Sequence, residues 1–253
     1  MPRWALFSAE IWSYLPMSQS DDEIPVLWRH PAPIHFDSQW PRWAKFLVVL
    51  IALAIAFVID KPVGQWALGN PITFKSDINL EMIMLMQWGQ WTCSVLVILA
   101  VALLDQKGRR RAIALAIGCL CAVAVCYLTK GLCGRARPWI LSSGKYGFYG
   151  PEYGFTSAAY QSFPSAHTSG AFALAAGLSW FYPRGRALFY GLALDVAFQR
   201  VIRHDHYPSD VIAGALLAVT IVRSVMAMSW PGRFISALPK PWQRWIFTAN
   251  NVQ

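Results

Sequence analysis

Residues 199–210 bring together side chains that could act on a phosphate group. Arg200 lies six residues before His206, and Asp210 lies four residues after it. A carboxylate that holds one imidazole nitrogen makes the other a better nucleophile, and a guanidinium binds phosphate oxygens through its planar set of N–H groups. The stretch lies between two apolar runs, where ionisable side chains are costly and usually functional. The spacing predicts a nucleophile beside an anion-binding arginine, although an ordinary polar loop can contain the same residues.

Two further polar clusters lie upstream, each at the end of an apolar run. In the first, six residues separate Lys130 from Arg137, and Pro138 disfavours helix at Arg137, so we expect the chain to leave its helix and fold back there. In the second, Ser165 is a predicted helix N-cap with His167 two residues later, and free amides at a helix N-terminus bind anions. Taken singly, the first cluster can also be cations touching lipid phosphates, and the second a structural cap.

Composition places these clusters in a membrane protein. The chain has 253 residues, of which 56% are hydrophobic and 14% are charged. Soluble proteins have about a quarter of their residues charged. The net charge of +9 suits either anionic lipid or nucleic acid, and the small polar share of the chain favours lipid and no nucleic-acid partner. The five cysteines are an odd number without zinc spacing, so we expect neither a disulfide framework nor a metal site.

Six apolar runs predict transmembrane helices. They cover residues 43–59, 82–104, 112–129, 165–182, 187–202 and 211–228. The first run is shorter than the ~20 residues that usually cross a bilayer, and Asp60, Lys61 and Pro62 are expected to end it. Runs this uniformly apolar favour helices over barrel strands. The expected fold is all-α: a polytopic membrane protein with six transmembrane helices in one bundle.

One membrane domain, residues 43–228, accounts for most of the chain. Residues 1–42 form a leader that is expected to be partly interfacial or disordered, with a short helix near residues 8–15. Residues 229–253 form a basic, aromatic tail. No cleavable signal peptide is evident, because the first long apolar run starts near residue 45.

Charge in the short loops predicts the topology. Loops rich in lysine and arginine stay cytoplasmic, which places residues 107–111 and 184–186 inside. Counting spans then puts both termini inside and the polar segments 130–165 and 200–210 outside, so the three clusters share the outer membrane interface. Basic residues kept on this disfavoured side predict a negatively charged ligand. The missing targeting signals and the short chain favour a bacterial inner membrane with the site on its periplasmic face.

In chain order, the three clusters have the patterns Lys-x6-Arg-Pro, Pro-Ser-x-His and Arg-x5-His-x3-Asp, and they lie within residues 130–210. This pattern resembles the three-part signature of the type 2 phosphatidic acid phosphatase superfamily, the integral membrane lipid phosphate phosphatases. The resemblance implies that His206 attacks phosphorus and forms a phosphohistidine, with Asp210 orienting it. It implies that His167 protonates the leaving alcohol and then helps to activate water.

The resemblance also implies a phosphate-binding set of three cations and one helix start: Lys130, Arg137, Arg200 and Ser165. Arg135 and Ala166 are possible additional contacts. Ala166 departs from the family pattern, which usually has glycine there, and Gln199 stands where the family usually has serine. No carboxylate cluster suited to Mg²⁺ appears among the motifs, so we expect catalysis without a metal or other cofactor.

The expected substrate is a phosphorylated lipid that reaches the site from the bilayer. Phosphatidic acid, phosphatidylglycerol phosphate, a polyprenyl diphosphate and a glycolipid phosphate all remain open, as does the oligomeric state. One alternative is a vanadate-dependent haloperoxidase, which shares the anion pocket but is soluble. Another is a transporter or receptor that binds a phosphorylated lipid without cleaving it; such a protein needs the cations but not the pair His206 and Asp210.

Several other polar residues carry weaker expectations. Arg203, His204 and Asp205 are expected to support the site or contact headgroups. Asp195, inside the fifth apolar run, is expected to make an internal hydrogen bond rather than relay protons. The tyrosine-rich tract 141–161 is either a lid over the substrate or an interfacial loop.

Overall fold

The computed structural model describes residues 41–70, 76–105, 108–228 and 239–247. The α-helices within these ranges are α1 (Arg42–Gly69), α2 (Ser76–Met86), α3 (Trp91–Leu104), α4 (Gly108–Cys133), α5 (Pro151–Thr156), α6 (Ala166–Phe181), α7 (Arg186–Ile202), α8 (Pro208–Ala227) and α9 (Lys240–Phe247). The predicted all-α class is confirmed. The proposed helix near residues 8–15 and most of the leader and tail lie outside the described residues.

Helix α1 corrects the predicted end of the first apolar run. The sequence predicts a stop at Asp60, Lys61 and Pro62, but α1 continues through all three residues to Gly69. A charged residue after an apolar run normally marks the membrane surface. Here Asp60 is instead fully buried and has partners in other parts of the chain, so its charge does not require the helix to end.

The number of membrane spans stays a prediction. Among the described residues, Trp43–Gly69, Gly108–Cys133 and Pro208–Ala227 are long and apolar enough to cross a bilayer. The predicted second span is broken: Asn79–Gly89 and Trp91–Leu104 meet at 66°, and counting them as one span gives a fourth. Helices α6 and α7 coincide with predicted spans but have 16 and 17 residues. Length and hydropathy thus support three or four spans, and the count of six is not established.

Helix α6 lies at the centre of the bundle. Every residue from Thr168 to Ser179 is buried, and α6 packs against α4, α7 and α8. Most of these positions are alanine, glycine or serine, and such small residues let helices approach closely in a membrane. Gly214 of α8 shows this, since an added Cβ there would lie 2.7 Å from the carbonyl oxygen of Ser165. The start of α8 therefore packs closely against the start of α6.

The outward faces of the helices are apolar. Val58 on α1 is 77% exposed and Leu96 on α3 is 67% exposed, and many other large apolar side chains on these helices are also uncovered. Exposed apolar surface of this extent is typical of contact with a membrane. Together with the long apolar helices, it makes the chain an integral, multi-pass membrane protein.

Candidate active site

The three polar clusters meet at one end of the bundle. The loop 134–165 leads from α4 into α6, and the turn 203–207 joins α7 to α8. Backbone hydrogen bonds hold these segments together: the amide of Ser165 donates to the carbonyl of Asp210 at 3.0 Å, and that of Ser162 donates to the carbonyl of Arg135 at 3.0 Å. The structure therefore brings the predicted site residues into one region.

Asp210 lies in the first turn of α8 with its carboxylate fully buried. Its Oδ2 accepts hydrogen bonds from the amide of Tyr207 at 2.8 Å and from Ser162 Oγ at 2.5 Å. The same oxygen lies 3.6 Å from Nδ1 of His206, which is longer than a hydrogen bond. Catalytic hydrogen bonds are often this long in free enzymes and shorten when substrate binds. The carboxylate of Asp210 therefore lies on the Nδ1 side of the His206 imidazole.

His206 lies in the turn between α7 and α8 and is only 2% exposed. Burial lowers its pKa to about 3. The positive charges of Lys130 and Arg137 also lower this pKa, whereas Asp210 acts to raise it. The imidazole is therefore neutral near pH 7, which is the state that a nucleophile requires.

Lys130, Arg137 and Arg200 form what we call the cation clamp. Lys130 is 3% exposed, and its Nζ donates to the carbonyl of Gln161 at 2.7 Å. Asp205 lies between the two arginines, with Oδ2 at 3.0 Å from Arg200 Nη2 and Oδ1 at 3.6 Å from Arg137 Nη1. The sequence does not indicate that Asp205 contacts both arginines.

Ser165 caps helix α6, as predicted. Its Oγ accepts from the amide of Thr168 at 3.4 Å and from Thr168 Oγ1 at 3.0 Å. His167 follows in the first turn, where the charges of the whole cation clamp act on it. Ala166 is an ordinary helical residue without positive φ, so the position does not require the family's glycine.

Gln199 is buried, and its Nε2 donates to Asp195 Oδ2 at 2.6 Å. This is the internal hydrogen bond expected for Asp195. The two residues lie one turn apart on α7, so the glutamine that departs from the family pattern is held within its own helix. Arg200 follows Gln199 and directs its guanidinium toward Asp205.

Arg135, expected as a possible extra phosphate contact, is enclosed by carboxylates. Nη1 donates to Asp210 Oδ1 at 2.5 Å and Nη2 donates to Asp60 Oδ2 at 2.6 Å. The guanidinium lies near several aromatic rings, with that of Tyr207 at 4.5 Å. Burial acts to lower the pKa of Arg135, but the carboxylates of Asp210 and Asp60 outweigh it and raise that pKa. With both terminal nitrogens occupied, Arg135 is placed to support Asp210 rather than to bind phosphate.

Asp60 and Ser209 complete this group, and we call Asp60, Arg135, Ser209 and Asp210 the carboxylate network. Sequence reasoning misses Asp60 as a site residue because it interprets this acid as the end of a span. A usable signal is present, since an acid inside an apolar helix normally has a buried partner. The sequence does not identify that partner.

An apolar groove reaches the site from the side of the bundle. It has a volume of about 570 Å³ and lies between α3, α4 and α6. Val95, Leu99 and Leu120 are among its lining residues, and Ala166 and His167 lie at its wall. Among the described residues, no group of three or more His, Cys, Asp or Glu side chains is arranged to hold a metal ion.

Comparisons with known proteins agree with this architecture. Residues 111–233 match the model of the PAP2 superfamily. The lipid A 1-phosphatase of Rhizobium etli is 39% identical over 87 residues, and that of Rhizobium johnstonii is 38% identical over 87 residues. These matches cover 34% of this chain and 37% and 35% of the two relatives, so the chain spans little more than a third of their length.

A solved structure shows the same fold. It is the crystal structure of a transmembrane PAP2-type phosphatidylglycerolphosphate phosphatase from Bacillus subtilis, which superposes with a TM-score of 0.51 over 78% of this chain and 97% of its own. The sequence identity is 16%. Fold and site together define a polytopic helical membrane protein with buried or half-buried cations and histidines at one end of its bundle. All three motifs lie within residues 111–233, the region of the chain that is similar to the PAP2 superfamily.

Proposed function

We propose that this protein is a membrane phosphatase that hydrolyses the phosphate of a lipid through a phosphohistidine intermediate, without a metal ion. The observation that carries the proposal is the buried His206 beside Asp210, with Lys130 and Arg137 of the cation clamp near enough to lower its pKa. Phosphoryl transfer depends mainly on in-line positioning and on stabilising charge at the phosphoryl oxygens. The cation clamp supports the second requirement, and the buried position of His206 supports the first.

The reaction proceeds in two steps. His167 takes up a proton when the phosphate dianion binds and offsets the charge of the clamp. Nε2 of His206 then attacks phosphorus, the bond from phosphorus to the lipid oxygen breaks, and His167 donates its proton to that oxygen. Asp210 stabilises the positive charge that develops on the imidazole. Water then attacks the phosphohistidine while His167 takes up its proton, and inorganic phosphate leaves with His206 neutral again. The cation clamp and the amides at the start of α6 hold the phosphoryl oxygens throughout.

A lipid substrate is favoured because the groove that ends at His167 is apolar and lies among membrane helices. Each buried methylene contributes about 0.8 kcal/mol, so an acyl chain in the groove would bind with useful affinity. The names of the similar proteins suggest two headgroups to test first, the 1-phosphate of lipid A and phosphatidylglycerol phosphate. We further propose a bacterial inner membrane, cytoplasmic termini and a periplasmic site.

Phosphate release from the purified protein tests this proposal. The panel contains lipid A, phosphatidylglycerol phosphate, phosphatidic acid, a polyprenyl diphosphate and a short water-soluble phosphate monoester, each with and without chelator. We expect release from at least one lipid, unaffected by chelator and faster than from the soluble ester. A chelator-sensitive reaction would contradict the metal-free mechanism, and tight lipid binding without release would favour a transporter or receptor.

The nucleophile is tested with His206→Ala and a matched histidine variant in the same turn. His206→Ala should abolish both turnover and the acid-labile phosphoenzyme that forms with radiolabelled substrate. The control is His204→Asn, because His204 has a positive φ of 61° and asparagine tolerates that backbone. It should retain turnover and phosphoenzyme. Full activity of His206→Ala would rule out the assigned nucleophile.

A further inference from the structure

Asp60 connects a helix outside the family match to the catalytic end of the bundle. It lies in α1, whereas the PAP2 match covers residues 111–233. Its Oδ2 accepts from Arg135 Nη2 at 2.6 Å and from Ser209 Oγ at 2.5 Å, and its Oδ1 accepts from the amide of Ser209 at 3.0 Å. Its side chain is completely buried. A buried carboxylate with this many partners is fixed in position and paired with the guanidinium that it contacts.

The charges of the network explain why a second carboxylate is needed. Arg135 contacts Asp210 at 2.5 Å and Asp60 at 2.6 Å. Arg135 and Asp210 alone would form a neutral pair, and the guanidinium would cancel much of the field of Asp210 at His206. With Asp60 included, two carboxylates face one guanidinium and the network keeps one net negative charge. Because the group is buried, solvent screens this charge weakly.

We propose that Asp60 is a positioning residue for catalysis: by neutralising Arg135, it leaves the charge of Asp210 available to the imidazole of His206. This inference rests on the proposed function, since it takes His206 as the nucleophile. Asp60 touches neither the cation clamp nor His206 in the described contacts, so it acts on the chemical step and not on phosphate binding. A purely structural role would instead make Asp60 an anchor that joins α1 to the start of α8.

Kinetics of Asp60→Asn distinguish these roles. The variant keeps the size of the side chain and its ability to accept from Ser209. We expect kcat to fall at least tenfold while KM changes less than threefold. Asp195→Asn is the matched control, because it also neutralises an acid within an apolar helix but contacts Gln199 rather than the network. Its kcat should stay within twofold of that of the wild type.

A double variant gives a readout that an anchor role would not produce. Asp60→Asn combined with Arg135→Gln removes both charges and returns the remaining network to one net negative charge on Asp210. We expect its kcat to exceed that of Asp60→Asn by at least threefold, even though it has lost one more ion pair. If the double variant is equal to or slower than Asp60→Asn, the charge mechanism is wrong and Asp60 is an anchor.

The result also separates this inference from the proposed function. A wild-type protein that releases no phosphate from any lipid would contradict the function itself. An active wild type with Asp60→Asn within twofold of it would contradict only the role of Asp60. Thermal unfolding of each variant in detergent identifies a loss of kcat that comes from misfolding. If Asp60→Asn is misfolded, the variant Asp60→Glu, which retains the charge, should be active if the inference is correct.

Discussion

The carboxylate network and the cation clamp lie side by side, but their charges are arranged in opposite ways. In the network, two carboxylates enclose one guanidinium, and the side chains of Asp60, Arg135 and Asp210 are at most 1% exposed. In the clamp, two arginines share the carboxylate of Asp205, which is 27% exposed, and the third cation is bound to a backbone carbonyl.

This difference supports our proposal for which part of the site binds the ligand. The network carries one net negative charge, and its hydrogen bonds are made within the protein. The three positive charges of the clamp and the one negative charge of Asp205 beside it give a formal sum of +2. A phosphate monoester carries about −1.5 to −2 near pH 7 and would complement that sum. This charge balance supports our proposal that the network holds His206 in place and that substrate binds to the clamp.

The largest effect is expected from breaking the network at Asp210. Asp210→Asn keeps the shape of the side chain but removes the charge beside His206. In serine proteases, losing the carboxylate that orients the catalytic histidine costs about 10⁴-fold in kcat, and we expect a loss of about 10³-fold or more here. KM should change little because the clamp is intact. Steady-state phosphate release measures both constants, and more than a tenth of wild-type kcat would contradict the assignment.

Breaking the clamp at Arg200 should have the next largest effect. Removing one fixed donor to a developing oxyanion costs about 2.7–4 kcal/mol, so Arg200→Ala should lower kcat by about 10²- to 10³-fold. Unlike Asp210→Asn, it should also weaken inhibition by inorganic phosphate. Arg203→Ala is the matched control, since Arg203 donates to Asn79 at 3.1 Å on the exposed side of the same segment. Equal losses in the two variants would mean that Arg200 has no special role.

The two regions also differ in how far the sequence predicts them. The clamp residues lie at the ends of apolar runs and follow a family spacing, so Lys130, Arg137 and Arg200 can be chosen from the sequence. The network depends on contacts between distant positions: Asp60 and Arg135 are 75 residues apart, and Asp60 and Ser209 are 149 residues apart. In the hydropathy pattern, Asp60 is only the residue at which an apolar run ends. The sequence therefore predicts the end of α1 at this position, and that prediction is wrong.

The bend between α2 and α3 has a similar explanation. The apolar run over residues 82–104 is interrupted only by Gln87, Gln90 and small polar residues, and hydropathy carries no information about packing. In the structure, Gly89 lies against the start of α6, where an added Cβ would be 2.7 Å from the carbonyl oxygen of His167. This close approach brings the broken span against the catalytic end of the bundle. The helix class of the segment is predictable, but its direction depends on a tertiary contact.

The smallest effect, and the sharpest test of the charge difference, is expected at Asp205. Its carboxylate neutralises part of the clamp, so an incoming phosphate must compete with it for Arg200 and Arg137. Asp205→Asn removes this competition. We expect inorganic phosphate to inhibit the variant at a concentration about three- to tenfold lower, a modest change because solvent screens a partly exposed carboxylate.

A change of the opposite sign would give Asp205 a different role. If its main effect is to hold the two arginines in position, Asp205→Asn should weaken inhibition by inorganic phosphate and raise KM. Glu152→Gln provides the control for removing one negative charge, since Glu152 is an exposed acid in the first turn of α5. The competition model requires tighter inhibition in Asp205→Asn and unchanged inhibition in Glu152→Gln. It follows from the same charge balance that supports our proposal of phosphate binding at the clamp and not at the network.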